Sequence, residues 1–187
     1  MTTDEPLHFL TGRNLLLRPL IDADFNGRYL AWLNDPEVNR YSRRRFFPSG
    51  EGELRSLESD SNLIHLAICL LDDGRHVGNI SLGPINWIHR FGEIRIMIGD
   101  KSAWNRGVAR EAIYLLAKHG LMTLGLRRIE AGSVNPAFNK AVVEKLGWRQ
   151  EGLQRQKYFF DNEWKDAVLT AISSDEFSVL PELEPAA

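Results

Sequence analysis

Apolar residues recur with two different periods along the chain, and the order in which the periods alternate predicts the order of the elements. In residues 91–98 (FGEIRIMI), Ile94, Ile96 and Ile98 alternate with Glu93, Arg95 and Met97, the period-two pattern of a strand. Residues 107–124 instead place Ile113, Leu116, Ala117 and Leu121 on one stripe at helical spacing. Further strands are predicted at 14–20 (NLLLRPL), where Pro19 restricts the segment to an edge or an end, and at 63–71 and 77–82 around the hairpin signal Asp72-Asp73-Gly74. Strands follow at 128–134, 157–160 and 164–172, the last two joined at Asp161-Asn162-Glu163. Helices are predicted from Asp22 to the stop at Asn34-Asp35-Pro36, from Ser49-Gly50 to about residue 59, and from the Asn135 cap through Pro136 to Gly147. The order is strand, two helices, three antiparallel strands, helix, strand, helix and a final hairpin, which is a mixed α/β (α+β) class. One domain is expected over residues 12–175, with a lead-in at 1–11 and a loose tail at 176–187.

Composition narrows the function classes. The chain has 187 residues, 43% of them hydrophobic, and a formal net charge of −2. That balance supplies no long basic face, so nucleic acid is not an expected partner. The one basic cluster, Arg40 with Arg43, Arg44 and Arg45, falls in a predicted loop and reads equally as solvated charge. Cys69 is the only cysteine, set in the apolar run LIHLAICLL, which excludes a disulfide framework and a multi-cysteine metal site. Histidines at positions 8, 65, 76, 89 and 119 show no metal-ligand spacing, so no metal is expected. The N-terminal residues lack the pattern of a secretory signal and no segment reaches membrane-spanning length, so a cytoplasmic protein is expected.

Residues 104–112, WNRGVAREA, place a small-residue turn where a predicted strand passes into the long amphipathic helix. The first amides of that helix have no partner within it, and the positive end of the helix dipole lies there too. Gly107 and Ala109 allow close approach to the backbone, while Arg106 and Arg110 add cationic side chains, so the turn suits a pyrophosphate. Close helix packing alone also selects small residues at such a point. The phosphate-loop and dinucleotide fingerprints are both absent, as is the nucleophile-elbow pattern of serine hydrolases.

Strand, small-residue turn, helix, strand and then an Asn-headed helix ending in EKLGW resemble the GCN5-related N-acetyltransferases (GNAT), over roughly residues 14–172. The similarity is greatest to the branch holding the ribosomal-protein N-terminal acetyltransferases. It implies a mixed, mainly antiparallel central sheet flanked by helices, with two middle strands that splay to admit acetyl-CoA. Mapped onto this chain, the pantetheine arm would follow Ile96, Met97 and Ile98, and the pyrophosphate would lie on Asn105, Arg106, Gly107, Val108, Ala109 and Arg110. Asn135 and Asn139 match polar positions that contact the cofactor in the family; helix capping is the other reading of Asn135. The position three residues before Gly107 is Trp104, where the family usually carries glutamine or arginine.

Acetyl transfer to an amine requires a base to take the ammonium proton. The resemblance points to Glu93, with a surface ion pair to Arg95 as the alternative. A small residue is usual at the Arg95 position in the branch, and a cation there would narrow the acceptor site or meet an anionic substrate. A general acid is less well defined: the branch's serine position aligns with Asn139, and Tyr158 is the aromatic hydroxyl closest in sequence. For the acceptor, the segments WLNDPEVNRY and GNISLGPINWIHR resemble members that modify amino sugars. They nominate Trp32, Tyr41, Arg43, Arg44, Trp87 and His89, with Arg45 beside them, to line the site. The expected acceptor is a small-molecule amine such as a nucleotide-linked amino sugar. A peptide N-terminus is the second choice, and a non-catalytic acyl-CoA-binding module is the alternative of another class. The terminal hairpin could support a homodimer.

Overall fold

The computed structural model describes residues 8–25, 27–50, 52, 55 and 60–183, and of Arg43 the backbone alone. One eight-stranded sheet organises them in the order β1-β2-β3-β4-β5-β6-β8-β7. The strands are β1 (Leu10–Thr11), β2 (Leu15–Pro19), β3 (Ile64–Leu70), β4 (His76–Leu82), β5 (Phe91–Ile98), β6 (Arg128–Ser133), β7 (Arg149–Phe160) and β8 (Glu163–Ser173). All neighbours are antiparallel except β5 and β6. The mixed α/β class and the antiparallel bias expected from the sequence are therefore present.

Helices cover the two faces separately. Helix α3 (Val108–Lys118) packs on one face, burying Val108, Ala112, Ile113, Leu116 and Ala117 in the main core with Ile80, Leu82, Ile94 and Ile129. The 3.6-residue spacing of those apolar positions produces this, each large one contributing about 1.5–3 kcal/mol of burial. A π turn at His119–Thr123 follows, and Gly125 at φ 68° carries the chain away from the helix axis. The opposite face is covered by α1 (Asp22–Phe25) and α2 (Arg28–Asn34), whose Phe25, Tyr29, Trp32 and Leu33 form a second cluster with Met97 beneath them. Residues of β5 thus divide by parity between two cores, as the alternation in FGEIRIMI requires.

The structure departs from the sequence expectations at five places. The helix expected from Asp22 to Asn34 is two, because Gly27 interrupts it with non-helical dihedrals (φ −113°, ψ −135°). The Asn135-capped helix is α4 (Pro136–Lys140), continued as a π turn over Ala141–Lys145 before Gly147 at φ 69°. Strand β7 begins at Arg149 rather than near residue 157; its polar first half lies on an edge and carries no apolar alternation. Two short elements are additional: β1, paired with β2 through Leu10↔Leu17, and α5 (Ser174–Ser178), which starts at a Ser173/Glu176 capping box and buries Phe177. Most of the helix expected over residues 49–59 lies outside the described residues.

Buried polar contacts tie the layers together. Asp24 is paired in bidentate fashion with Arg18 (2.6 and 2.9 Å), faces His76 Nδ1 at 3.1 Å and accepts the Ile21 amide at 2.8 Å. Burial pushes its carboxyl up, yet the hydrogen bonds from Arg18, His76 and Ile21 outweigh that and hold it far below the usual carboxylate range. Cys69 is buried in β3, and its burial pushes the thiol up.

Candidate active site

The parallel ladder between β5 and β6 contains three pairs, Phe91↔Arg128, Gly92↔Ile129 and Glu93↔Glu130, and stops there. Beyond it β5 runs on to Ile98 and β6 to Ser133 without pairing to each other, so the two strands open as a V above Glu93 and Glu130. Backbone polar groups along an unpaired strand require partners, which makes the open edge at Ile96, Met97 and Ile98 suited to an extended amide-bearing chain. Ile98 is already partly used: its carbonyl accepts the Trp104 indole N–H at 2.8 Å. This contact accounts for a tryptophan at position 104, since it fastens the turn to the end of β5.

The turn following β5 is held from several sides. Gly99 and Asp100 donate their amides to the Val77 carbonyl (2.9 and 3.0 Å), and Asp100 caps the next turn by accepting from Ser102. Arg75 reaches Asp100 at 2.7 Å, and Lys101 joins Asp35 and Glu37 at 2.9 and 2.6 Å, bringing the end of α2 onto the turn. Asn105 (φ 59°) and Gly107 (φ 77°) are left-handed, and Gly107 is the N-cap of α3. The first amide inside the helix ladder is that of Glu111, bonded to the Gly107 carbonyl at 3.0 Å. The amides of Val108 and Ala109 therefore lie outside the ladder at the positive end of an eleven-residue helix.

Across the V, the Asn135 side chain caps α4 by accepting the Ala137 amide at 3.0 Å, so its oxygen is used as the capping reading requires. Asn139 donates to the Ser133 carbonyl at 3.2 Å, while its Oδ1 is buried with no hydrogen-bond donor among the described residues. A buried amide oxygen without a donor is costly in a folded chain and fits an N–H supplied by a ligand in the V. The free edge, the left-handed glycine and this acceptor together fit the pantetheine and pyrophosphate of a coenzyme A.

At the base of the V, parity places Glu93 and Glu130 on the same face, because Ile94, Ile129 and Ala131 point into the main core. Each carboxylate has an arginine two residues away on its own strand. Arg95 Nη2 meets Glu93 Oε2 at 2.5 Å, and Arg128 Nε meets Glu130 Oε1 at 2.7 Å. Arg128 also forks onto Glu151, whose carboxyl it holds below the usual range. Glu130 was not picked out from the sequence. The signal was present in the alternation of RIEAGS, but the register that sets it opposite Glu93 is a property of the sheet.

The acceptor residues nominated from the sequence fall in three places. Tyr41, Arg44 and Arg45 lie in and beside the 3-10 turn Arg43–Phe46, which docks on the β7–β8 hairpin tip: Arg45 pairs with Asp161 at 3.0 Å and Phe46 stacks on Phe160 at 5.8 Å. Arg44 donates to Ser49 Oγ at 3.0 Å, and the Arg43 side chain lies outside the description. Trp87 and His89 sit in the loop before β5, at the other end of the sheet, with the Trp87 indole on Asn62 Oδ1 at 3.1 Å. Trp32 is in neither group. It is 8% exposed and covers Gly99, where a Cβ would fall 1.9 Å from its ring, so it fills a core rather than lining a cleft. Tyr158 shares a strand face with Phe160, half-buried and two strands beyond β6, on a different strand pair from Glu93.

Residues 14–149 match the model of the acetyltransferase (GNAT) domain. The chain belongs to the GNAT family. It is 32% identical over 120 residues to the "Probable N-acetyltransferase YjcK" of Bacillus subtilis, covering 62% of this chain and 64% of that relative, just under two thirds of it. It is 25% identical over 176 residues to the "Uncharacterized N-acetyltransferase YnaD" of the same organism, covering 90% and 99%. Among solved structures, an acetyltransferase (GNAT family) from Bacillus anthracis superposes with TM-score 0.74 at 25% identity, covering 90% of this chain and 99% of that one. The spermidine N-acetyltransferase from Vibrio cholerae in complex with CoA and spermine shares the fold, with TM-score 0.77 at 22% identity and coverage of 88% and 98%. Among the described residues no helix is long and apolar enough to cross a membrane.

Proposed function

We propose that the protein transfers the acetyl group of acetyl-CoA to the primary amine of a small molecule in a ternary complex. The observation that carries this reading is the ladder that ends at Glu93↔Glu130 and opens toward the left-handed Gly107. In this reading the amides of Val108 and Ala109 and the side chains of Arg106 and Arg110 receive the pyrophosphate, and Asn139 Oδ1 accepts an amide N–H of the pantetheine. Acetyl-CoA supplies the acetyl thioester. Glu93, directly or through water, takes the proton of the acceptor ammonium. The amine lone pair then forms the C–N bond, the C–S bond breaks, the thiolate leaves with the electron pair, and the second N–H proton passes to that thiolate or to water, leaving a neutral amide. Thiols are weakly basic beside amines, so this departure does not depend on an acid such as Tyr158.

Membership of the ribosomal-protein N-terminal acetyltransferase branch is supported by the W-N-R-G-V-A turn, and a single catalytic domain over residues 12–175 acting in the cytoplasm belongs to the same reading. A nucleotide-linked amino sugar is the proposed acceptor and a protein N-terminus the alternative. The exposed Leu153, Phe159 and Trp164 on the β7–β8 hairpin support self-association as a homodimer. Calorimetric titration with acetyl-CoA tests the reading. Micromolar binding by the wild type, lost in Gly107→Trp, is expected, followed by turnover of amines. A folded protein that binds no acetyl-CoA overturns the proposal, and one that binds it yet acetylates no amine is an acyl-CoA-binding module.

A further inference from the structure

We infer that Arg95 selects the acceptor, by receiving an anionic group that the acceptor carries about 6–7 Å from its amine, the two-residue repeat of a strand. The inference rests on the acetyltransferase reading above and deepens it. Glu93 and Arg95 share the face of β5 on which Met97 is covered by α2, but their side chains remain 38% and 56% exposed. The sheet surface is thus roofed at Met97 and open at the carboxylate and the guanidinium. Opposite Arg95 in register stands Ser81, and opposite Ser81 stands His65, so one row of polar groups crosses three strands on the acceptor side.

Two other arginines already have carboxylate partners. Arg128 is held by Glu130 and Glu151, and Arg45 by Asp161. Arg95 is held by Glu93, the very group that the ammonium must approach. An exposed pair of this kind is weak and exchanges readily. An acceptor with an anion completes the exchange: its ammonium takes Glu93 while its carboxylate or phosphate takes Arg95, to which a planar guanidinium offers two parallel donors. A plain amine leaves Arg95 without an anion beside a second cation. A diamine adds a third positive charge and is repelled.

Four probes of similar reach separate these cases: 4-aminobutyrate, 3-aminopropyl phosphate, n-butylamine and 1,4-diaminobutane, each assayed with saturating acetyl-CoA. The wild type is expected to favour the anionic amines over n-butylamine by about tenfold or more in kcat/KM, and to disfavour the diamine. Whichever anionic amine leads identifies carboxylate or phosphate as the recognised group. Arg95→Gln is expected to bring 4-aminobutyrate and n-butylamine together, chiefly through KM, and Arg95→Lys to restore part of the preference. A wild type that uses n-butylamine or the diamine as well as the anionic amines overturns the inference, as does a preference that survives in Arg95→Gln. Titration of the CoA-loaded protein with both anionic amines covers the case of slow turnover. Absence of binding there overturns the role of Arg95 while CoA binding stands, whereas absence of CoA binding overturns the acetyltransferase reading itself.

Discussion

Glu93 and Glu130 are partners in the last pair of the β5–β6 ladder and lie on the same face of the sheet, each with an arginine two residues away. Neighbouring carboxylates at the point where the strands part suit a cationic amine, as the proposed reaction requires. Glu93→Gln is expected to lower kcat by roughly a hundredfold, the contribution of one positioned base, with acetyl-CoA affinity unchanged. Glu130→Gln is expected to raise the acceptor KM several-fold with a smaller change in kcat, since the wild-type carboxylate is already engaged by Arg128 and is not the proposed base. Steady-state kinetics on the two variants checks the division of roles; equal losses of kcat would refute it.

A Cβ at Gly99 would sit 1.9 Å from Cδ2 of Trp32 and 2.2 Å from Cγ, both atoms of a rigid ring buried between α2 and the end of β5. The ring cannot yield without moving α2. Gly99→Ala is expected to cost about 3 kcal/mol, comparable to overpacking in a tight core, and Trp32→Ala about 3–5 kcal/mol. Urea unfolding measures both. The pair Gly99→Ala with Trp32→Ala is expected to be less destabilised than the sum, because each change relieves the other.

Much of this site was legible in the chain because its parts are local. WNRGVAREA carries its turn, cap and helix within nine residues, and the alternation of FGEIRIMI fixes which side chains share a face with Glu93. Asn135 and Pro136 announce the start of α4 by capping chemistry alone. What escaped depends on register or on contacts between distant segments. Glu130 gains its place only when β6 is set beside β5, and Trp32 looks like any aromatic on an amphipathic helix until Gly99 is packed beneath it. The arginine loop read as free cation because its partner, Asp161, lies 116 residues from Arg45. Pairings at that separation leave no periodic trace.

The Asp24 carboxyl is held well below its ordinary range, so its contribution to stability has a defined direction with pH. An unfolded aspartate titrates near about 3.9. Above that value the folded state gains the full benefit of the ionised group, and the benefit is lost as pH falls through the lower folded value. Asp24→Asn leaves Arg18, whose side chain is 11% exposed, without its carboxylate, at a cost of about 3–5 kcal/mol near neutral pH. The gap between wild type and variant is expected to be full above about pH 5 and to shrink below about pH 4. Urea unfolding at a series of pH values tests this; a gap that widens in acid would contradict it.

Arg45 joins Asp161 at 3.0 Å and lies over the rings of Phe46 and Phe160, closing the loop after α2 on the β7–β8 hairpin tip. Asp161 is half-exposed, so the pair contributes about 1 kcal/mol or less, and Asp161→Asn is expected to leave Tm nearly unchanged. If this loop lines the acceptor site as the sequence reading expects, the acceptor KM rises several-fold with acetyl-CoA affinity intact. Steady-state kinetics of Asp161→Asn beside its thermal unfolding checks this, and an unchanged acceptor KM would refute it.

The buried Glu111 side chain ties α3 to the turn before β2. Its carboxylate accepts the amides of Arg13 (2.5 Å) and Asn14 (3.0 Å) and the Asn14 side-chain amide (3.0 Å). Gly12 is small to allow this, since a Cβ there would lie 2.3 Å from Glu111 Oε1. Glu111→Ala removes the acceptor from two backbone donors and is expected to cost about 2–4 kcal/mol. Glu111→Gln keeps an oxygen for the backbone amides but turns an NH₂ toward the Asn14 NH₂, so an intermediate loss is expected. Because Glu111 sits in the first turn of α3, one residue beyond Arg110, the Ala variant should also bind acetyl-CoA more weakly while still folded. Calorimetry well below its midpoint of unfolding distinguishes this coupling from a loss of stability alone. Unaltered affinity in a destabilised Glu111→Ala would confine the residue to holding β1 and β2 in place.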